Sequence, residues 1–536
     1  MPLGELAEVP RMRELLAAKK EKVSLTGCVD SQKVHMMAGL GDRFKCKVIL
    51  TFSDLRAREI AEDFLFYDRN VFVYPGKDLI FYQADIHGNQ LVKERINVLK
   101  RVMEGKPITV ITTFGALMSP MMPIEVLKKN TIEIDKKTEI SENNIAKQLV
   151  EMGYEKNYQV DAPGQFSVRG GIIDVFDLTQ ENPYRLELWG EEVESIRSFD
   201  LLSQRSIENL ESICIYPATE LILTREQLQE GLKRIEADAK KQSDVLRKEF
   251  LTEEAHRLTK HVKELKEQVL ELSMNVNLES YINYFFEKTG SFIDLFDFEN
   301  TCVFLDEPTR IREHAEGIEA EFRESMSHRL ERGYVLEKQA NILYGKDKIL
   351  AKIEKYPSVQ IGFMEEKKLL LKTEHRFHIL AKSVASYNHS FELLIKDLKR
   401  YRKNGYRVIV MSPSRTRAKR LAQDIREQEM TAVYTEDPFR MVQPSEVLVY
   451  YGSLKRGFEY PLLKFVVISE SDIFGKQKKK KLKKTKYEGT KIKDFSQLNI
   501  GDYVVHETHG LGIYRGIEKV EVERIVKDYM KIEYRY

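Results

Sequence analysis

Residues 25–40, LTGCVDSQKVHMMAGL, join an apolar strand to a helix through a glycine turn. How that turn is read decides the fold. Counted from Gly27, the phosphate-binding pattern G-x-x-x-x-G-K-[ST] requires Gly, Lys and Ser/Thr at positions 32, 33 and 34. The chain supplies Gln32, Lys33 and Val34. In a working loop, small residues let backbone N–H groups cradle the phosphates, Lys reaches the β/γ-phosphates and a hydroxyl holds Mg²⁺. Gln32 adds bulk where Gly would permit close approach, and Val34 offers the metal no oxygen. The expectation is a strand-to-helix turn kept for packing, with ATP not bound.

Outward from that turn the pattern continues as α/β. KVILTF (47–52) reads as a buried strand and SDLRAREIAEDFLFY as a helix capped by Ser53. VFVYPG (71–76) and PITVITT (107–113) are further strands, with the amphipathic LVKERINVLKRVMEGK between them. Strands alternating with helices imply a parallel sheet covered on both faces. From about 130 the pattern changes. GQFSVRGGIIDVFD and YRLELWGEEVESIRSFD alternate apolar and polar residues between Gly, Pro and Asn, as antiparallel strands do.

These changes predict an α/β first part at 1–129, an inserted α+β domain at 130–217 and a return to the first domain at 218–355. The return is charged helix followed by the strand NTCVFLDEPTRI (300–311). A third α/β domain is expected at 356–475, a basic linker at 476–492, and a small, strongly curved sheet at 493–536. The linker, KQKKKKLKKTKYEGTKIKD, reads as solvated rather than nucleic-acid binding, because no aromatic residues interleave its lysines for stacking.

Composition narrows the function. Among 536 residues, 86 Lys+Arg nearly balance 84 Asp+Glu, so any contact with nucleic acid must be local. The four cysteines (Cys28, Cys46, Cys214, Cys302) are scattered, which argues against disulfides and structural zinc and fits a reducing cytosol. There is no signal-peptide pattern and no apolar run of membrane-spanning length. A cytoplasmic chain is expected.

The remaining motifs are weak. Asp306 and Glu307 in FLDEPTRI imitate the Mg²⁺-binding half of an ATPase site, beside a loop that lacks its own half. HETHG (506–510) is one residue short of H-E-x-x-H, and His375 and His378 have no supporting cluster. No catalytic or metal-binding residues are expected. A better cluster lies in the insert, where Arg169, Arg185, Glu187 and the single tryptophan, Trp189, fall on period-2 positions. Arg185, Glu187 and Trp189 then share one face of a strand. An exposed Arg/aromatic patch has the composition of a protein-binding hot spot, and the competing reading buries Trp189 in the core.

At these residues a resemblance enters. PGQFSVRGGIIDVFD…NPYRLELWGEEVESIRSFDLLSQRS closely resembles the UvrB-homology region of the bacterial transcription-repair coupling factors (the Mfd family). GDYVVHETHGLGIYRGIEKVEVERIVKDYMKIEY resembles their RNA-polymerase-interacting module, which is related to CarD, and VVISESDIFG is similar to the stretch closing their third domain. A UvrB would show an intact T-G-x-G-K-T loop and a long hairpin before the helix at 91.

The resemblance implies a multidomain α/β fold ending in a truncated, Tudor-like β-barrel. It implies a role in transcription-coupled nucleotide excision repair, through recruitment of UvrA by the second domain and binding of the RNA polymerase β subunit. By motif position the UvrA contacts would be Arg169, Arg185 and Trp189, with Glu187 adjacent. The polymerase contacts would lie on a strand edge formed by Val504, Val505, His506, Glu507, Thr508, His509, Gly510, Leu511, Gly512, Ile513 and Tyr514. In the family, ATP and Mg²⁺ serve a DNA translocase C-terminal to that module, and no G-x-G-K-T occurs in this chain.

An N-terminal portion without the motor is therefore expected, needing no cofactor, contacting DNA weakly if at all, and binding UvrA constitutively. The rivals are a nucleotide-dependent, helicase-like protein using Lys33, and a transcription regulator acting through 493–536 alone.

Overall fold

The computed structural model describes residues 3–18, 20–77, 89–272, 278–366, 368–437, 439–475, 501–506, 510–522 and 525–534. It forms two units, residues 1–476 and 477–536. The lysine-rich run at 476–486 lies outside the described residues.

The first unit is organised by a seven-stranded, wholly parallel sheet. Its order is His375–His378, Lys22–Thr26, Ser358–Ile361, Thr301–Asp306, Cys46–Thr51, Ile108–Thr113, Val71–Tyr74. The central strands are near-continuous apolar runs because both faces are covered. In Thr301–Asp306 all six residues are buried. Successive side chains feed opposite cores, as period 2 requires. Val48, Leu50, Val303 and Leu305 pack on one face with the helical region. Ile49, Cys302 and Phe304 pack on the other with Val34, Met36 and Met37. Each such side chain contributes about 1.5–3 kcal/mol when fully buried.

Two of these strands correct the expected boundary at 356. Ser358–Ile361 sits between Lys22–Thr26 and Thr301–Asp306, and His375–His378 extends the sheet beyond Lys22–Thr26. The first domain thus continues to about residue 378. The HRFH motif is an edge strand whose pattern is too short and polar to announce itself.

The insert leaves and rejoins this domain through paired strands, Ile132–Asp135 running antiparallel to Ser212–Ile215. Between them lies a six-stranded sheet, in which Gln165–Arg169, Ile172–Val175, Tyr184–Trp189 and Glu192–Phe199 form an antiparallel meander. The helix Glu142–Glu151 covers its inner face through Ile145 and Leu149.

After the insert, Arg225–Lys248 and Thr252–Leu272 form a helical hairpin against the first domain. Thr224 opens it with a capping box: its Oγ1 accepts from the Gln227 N–H at 3.2 Å, and its own N–H donates to Gln227 Oε1 at 3.1 Å.

The third domain is a six-stranded mixed sheet, ordered Lys382–Ser383, Phe458–Tyr460, Phe465–Ser469, Arg407–Ser412, Val447–Tyr451, Ala432–Thr435. One face, with Phe458, Tyr460, Phe465 and Val467, joins the core containing Met36 and Met37 of the helix Asp30–Leu40. The helices Phe391–Lys403 and Arg415–Glu427 cover the other face.

The second unit is an antiparallel sheet of Tyr503–His506, Gly510–Val522 and Ile525–Tyr534, with the long strand in the middle. Its register shifts between Tyr514 and Gly516, where Gly516 takes φ +104°. Barrel closure is not part of what the described residues show.

Candidate functional site

The remnant phosphate loop is filled by the protein itself. Gly27 takes φ +76°, and a Cβ there would stand 2.2 Å from the Ile379 carbonyl oxygen. Glycine is needed here for the neighbouring chain's approach. The amides that would face a phosphate are spent internally. Gly27 N–H donates to Phe363 O at 2.9 Å, Cys28 N–H to Gly362 O at 3.2 Å, and Val29 N–H to Gln32 Oε1 at 3.0 Å.

Lys33, 6 % exposed, reaches back to the strand end, bonding Asp306 Oδ1 at 3.4 Å and pairing closely with Glu307. Asp306, fully buried, also accepts from Arg56 Nε at 3.0 Å and from Thr51 Oγ1 at 3.2 Å. Burial alone pushes the Asp306 carboxyl up, but Lys33 and Arg56 hold it below the usual carboxylate range. Burial likewise opposes the charge on Lys33, and Asp306 and Glu307 raise its pKa above the ordinary value. Two cations and two carboxylates close a neutral cluster where a nucleotide site would keep an unpaired lysine and a metal-binding carboxylate. ATP and Mg²⁺ do not fit this arrangement.

The other loop side chains fasten the third domain. Gln32 Nε2 donates to the Tyr460 hydroxyl at 3.1 Å, and His35 Nδ1 meets the same hydroxyl at 3.0 Å. Ser31 Oγ donates to Asp63 Oδ2 at 2.6 Å and accepts from the Arg456 N–H at 3.1 Å. Val34, the residue that spoils the metal site, is core. Tyr460→Phe is expected to cost about 1–3 kcal/mol, because the buried Gln32 amide and His35 ring each lose a partner. Chemical denaturation compared with the exposed control Tyr503→Phe would measure it.

The insert presents the second candidate. In Tyr184–Trp189, Tyr184, Leu186 and Leu188 point into the core, so Arg185, Glu187 and Trp189 face outward. Trp189 is 80 % exposed, which excludes the reading that buries it. Asp174, directly across from Arg185 and 1 % exposed, organises the face. Its Oδ1 accepts from Arg185 Nε at 2.7 Å, and its Oδ2 accepts from Arg185 Nη2 at 2.9 Å and Arg169 Nη2 at 3.0 Å. A bidentate grip of this kind fixes a guanidinium's plane; Arg185 Nη2 also donates to Gln204 Oε1 at 3.0 Å, which leaves Nη1 as its outer group. Arg185 also lies over the Phe199 ring at 4.3 Å, and Arg169 is 5.6 Å from the exposed ring of Tyr158.

Glu187 is held by Arg197 and by Ser195 Oγ at 2.8 Å. The sequence reading gathered the four outward residues but missed Asp174 and Arg197. The alternation in GIIDV placed Asp174 on the same face, and that signal was available.

In the second unit, Tyr503–His506 lies at a sheet edge, pairing only with Gly510–Val522 among the described residues. Val504 faces Gly512, and Tyr503 faces Ile513. Of the expected edge segment, Val504, Val505 and His506 are therefore at the edge. Gly510, Leu511, Gly512, Ile513 and Tyr514 belong to the central strand and not to the edge strand, and of these Gly512 and Ile513 pair with strands on both sides. Glu507, Thr508 and His509 lie outside the described residues.

Comparison with known proteins matches residues 132–221 to the UvrB interaction domain and 498–536 to the CarD-like/TRCF RID domain. The transcription-repair-coupling factor of Bacillus subtilis is 33% identical over 490 residues, covering 91% of this chain and 41% of that protein. Those of Staphylococcus aureus (strain MRSA252) and Staphylococcus epidermidis (strain ATCC 35984) are 29% and 28% identical over 95% and 96% of the chain. The chain spans 41–44% of the length of these relatives.

Proposed function

We propose that this chain, related along nearly its whole length to the N-terminal portion of the transcription-repair-coupling factors, acts in transcription-coupled nucleotide excision repair as a docking scaffold. In this reading the insert captures UvrA, and the C-terminal sheet engages the RNA polymerase β subunit. The observation that carries it is the Asp174-held pair Arg169 and Arg185 beside exposed Trp189, inside the segment that matches the UvrB interaction domain. Preorganised arginines on the same strand face as an exposed indole supply the charge-assisted bonds and apolar area that dominate protein interfaces.

The polymerase contact would be strand addition at Tyr503–His506, whose outer edge has no partner strand among the described residues. We take this sheet as part of a Tudor-like barrel, supported by the bulge and the positive φ at Gly516 that bend its long strand. The remnant loop supports the scaffold as a joint between the first and third domains and is not a nucleotide site. A cytoplasmic location is consistent with the described residues, which include no helix long and apolar enough to cross a membrane.

Capture of purified UvrA by the immobilised chain tests the reading. Arg169→Ala with Arg185→Ala is expected to weaken capture about 100-fold, as loss of two hot-spot side chains would, and to lower the melting temperature because buried Asp174 loses both cations. Trp189→Ala, at an 80 % exposed side chain, is expected to weaken capture with the melting temperature unchanged. Undiminished capture by the double variant would remove the insert's outer face from the function.

A further inference from the structure

The third domain takes no part in the docking just described, yet two basic helices lie side by side on its outer face. Phe391–Lys403 bears Lys396, Lys399, Arg400, Arg402 and Lys403 against Glu392 and Asp397. Arg415–Glu427 bears Arg415, Arg417, Lys419, Arg420 and Arg426 against Asp424 and Glu427. Ten cations against four carboxylates give +6 on this face, whereas the whole chain sums to +2. Among the other long helices, Asn89–Met103 carries four cations against one carboxylate but buries Arg95 and pairs Arg101 with Glu104, and Arg225–Lys248 carries seven against five. Thr252–Leu272 carries four cations and five carboxylates, and Pro308–Glu331 carries four Lys/Arg and six carboxylates.

All ten cations are exposed. Arg400, Arg415 and Arg417 pair with Asp397, Glu436 and Glu470. The other seven make no ion pair among the described residues. Both helices pack on the same sheet face, Leu394 and Leu398 from one and Leu421 and Ile425 from the other, so their charged sides form one surface.

The helix dipole favours Arg400, Arg402 and Lys403, which lie in the last turn of the first helix, but two features of the charge go beyond helix stability. The first helix carries Lys396, Lys399, Arg400 and Lys403 at i, i+3, i+4 and i+7, a single row whose members repel one another. The second begins with Arg415, Arg417, Lys419 and Arg420 and has no acidic residue in its first turn. Cations there oppose the helix dipole.

We propose that the outer face of the two helices Phe391–Lys403 and Arg415–Glu427 is a docking surface for duplex DNA, held through its phosphates. The occupant is argued from charge complementarity, since a duplex offers one negative charge per about 1.7 Å of axis. A row of lysines spanning two helical turns, about 10 Å long, meets several phosphates at once. Single strands fit less well because they are held largely by stacking on aromatic side chains. The aromatic residues of these helices, Phe391 and Tyr401, are turned toward the sheet, and Tyr401 is buried. Sequence preference is not expected from phosphate contacts alone.

The test uses the full chain with all the linker lysines, Lys476, Lys478, Lys479, Lys480, Lys481, Lys483, Lys484, Lys486 and Lys491, changed to Gln, so that the linker cannot supply the contacts. Binding to a fluorescent 30-base-pair DNA is measured across salt concentrations. The expected result is measurable affinity with a steep salt dependence. The variant Lys396→Glu, Lys399→Glu, Lys403→Glu, Lys419→Glu and Arg420→Glu should bind at least tenfold more weakly, with the logarithmic salt slope falling by about one per lost contact. Its melting temperature should stay within a few degrees of the parent, since all five side chains are exposed. Affinity unchanged by these five substitutions would overturn the proposal. So would absence of binding once the linker is neutralised, or a preference for single-stranded DNA or duplex RNA of equal length.

Discussion

Replacing Glu220 by glutamine is expected to cost about 3–5 kcal/mol of stability, the range for removing one partner of a buried ion pair. Arg95 is the largest fully buried side chain in the described residues, and Glu220 grips it twice, at 2.6 Å to Nε and 2.9 Å to Nη2. The remaining guanidinium nitrogen donates to Pro75 O at 2.6 Å, and the Tyr74 ring lies 3.9 Å beneath. Lys77 adds a second cation, 3.3 Å from Glu220 and 2.7 Å from Glu279. Glutamine keeps the shape but leaves two buried cations facing a neutral group.

The pH dependence has a definite sign. Burial opposes ionisation of Glu220, yet Arg95 and Lys77 outweigh it and bring the carboxyl down to about 2 from 4.5. A depressed acid stabilises the fold above the unfolded value and ceases to do so as pH falls through the folded one. The wild-type advantage over Glu220→Gln should therefore be complete above pH 4.5 and shrink toward pH 2. A shift of that size corresponds to about 3 kcal/mol. Urea denaturation of both proteins at several pH values would check it, and a pH-independent difference would show that the carboxylate's charge is not what stabilises the site. Arg95→Met combined with Glu220→Leu should recover at least half the loss, because an apolar pair leaves no charge stranded.

What could be read from the sequence, and what could not, follows from the range of each interaction. The strand Ile108–Thr113, and Cys46–Thr51 from Val48 onward, announce themselves because both faces are buried, so every residue there is apolar or small. The outward set Arg185, Glu187 and Trp189 was legible because period 2 is a local property. The Arg95–Glu220 pair spans 125 residues. Arg95 sits in a helix with Lys93, Glu94 and Lys100 around it, where one more charge reads as a solvated face. Strand order is similarly hidden, since nothing local states that Ser358–Ile361 slots between strands more than 50 residues away in the chain. The spoiled loop was legible as a loss of chemistry through Gln32 and Val34. Its new employment was not, because Tyr460 and Asp306 lie 428 and 273 residues from their partners Gln32 and Lys33.

That employment sets the second large effect. Lys33→Met is expected to destabilise the chain by about 3–5 kcal/mol, because Arg56 alone must then compensate Asp306 and Glu307 in a dry site. Asp306 is worst placed: its Oδ2 keeps Arg56 and Thr51, but its Oδ1 loses the lysine. In a nucleotide-binding loop the lysine serves the ligand, and its loss would abolish a ligand-induced rise in melting temperature while leaving the free protein's stability little changed. Here the order is reversed. Millimolar Mg–ATP should leave the unfolding midpoint of the wild type where it is, although a ligand at 100 times its dissociation constant would add about 2.7 kcal/mol. Adding Asp306→Asn to Lys33→Met should restore part of the stability, since it removes the carboxylate that the first substitution strands. A denaturation cycle over the two single variants and the double variant measures the coupling. Additive losses, or a midpoint raised by Mg–ATP and dependent on Lys33, would return this loop to the nucleotide-binding reading that its fold first suggests.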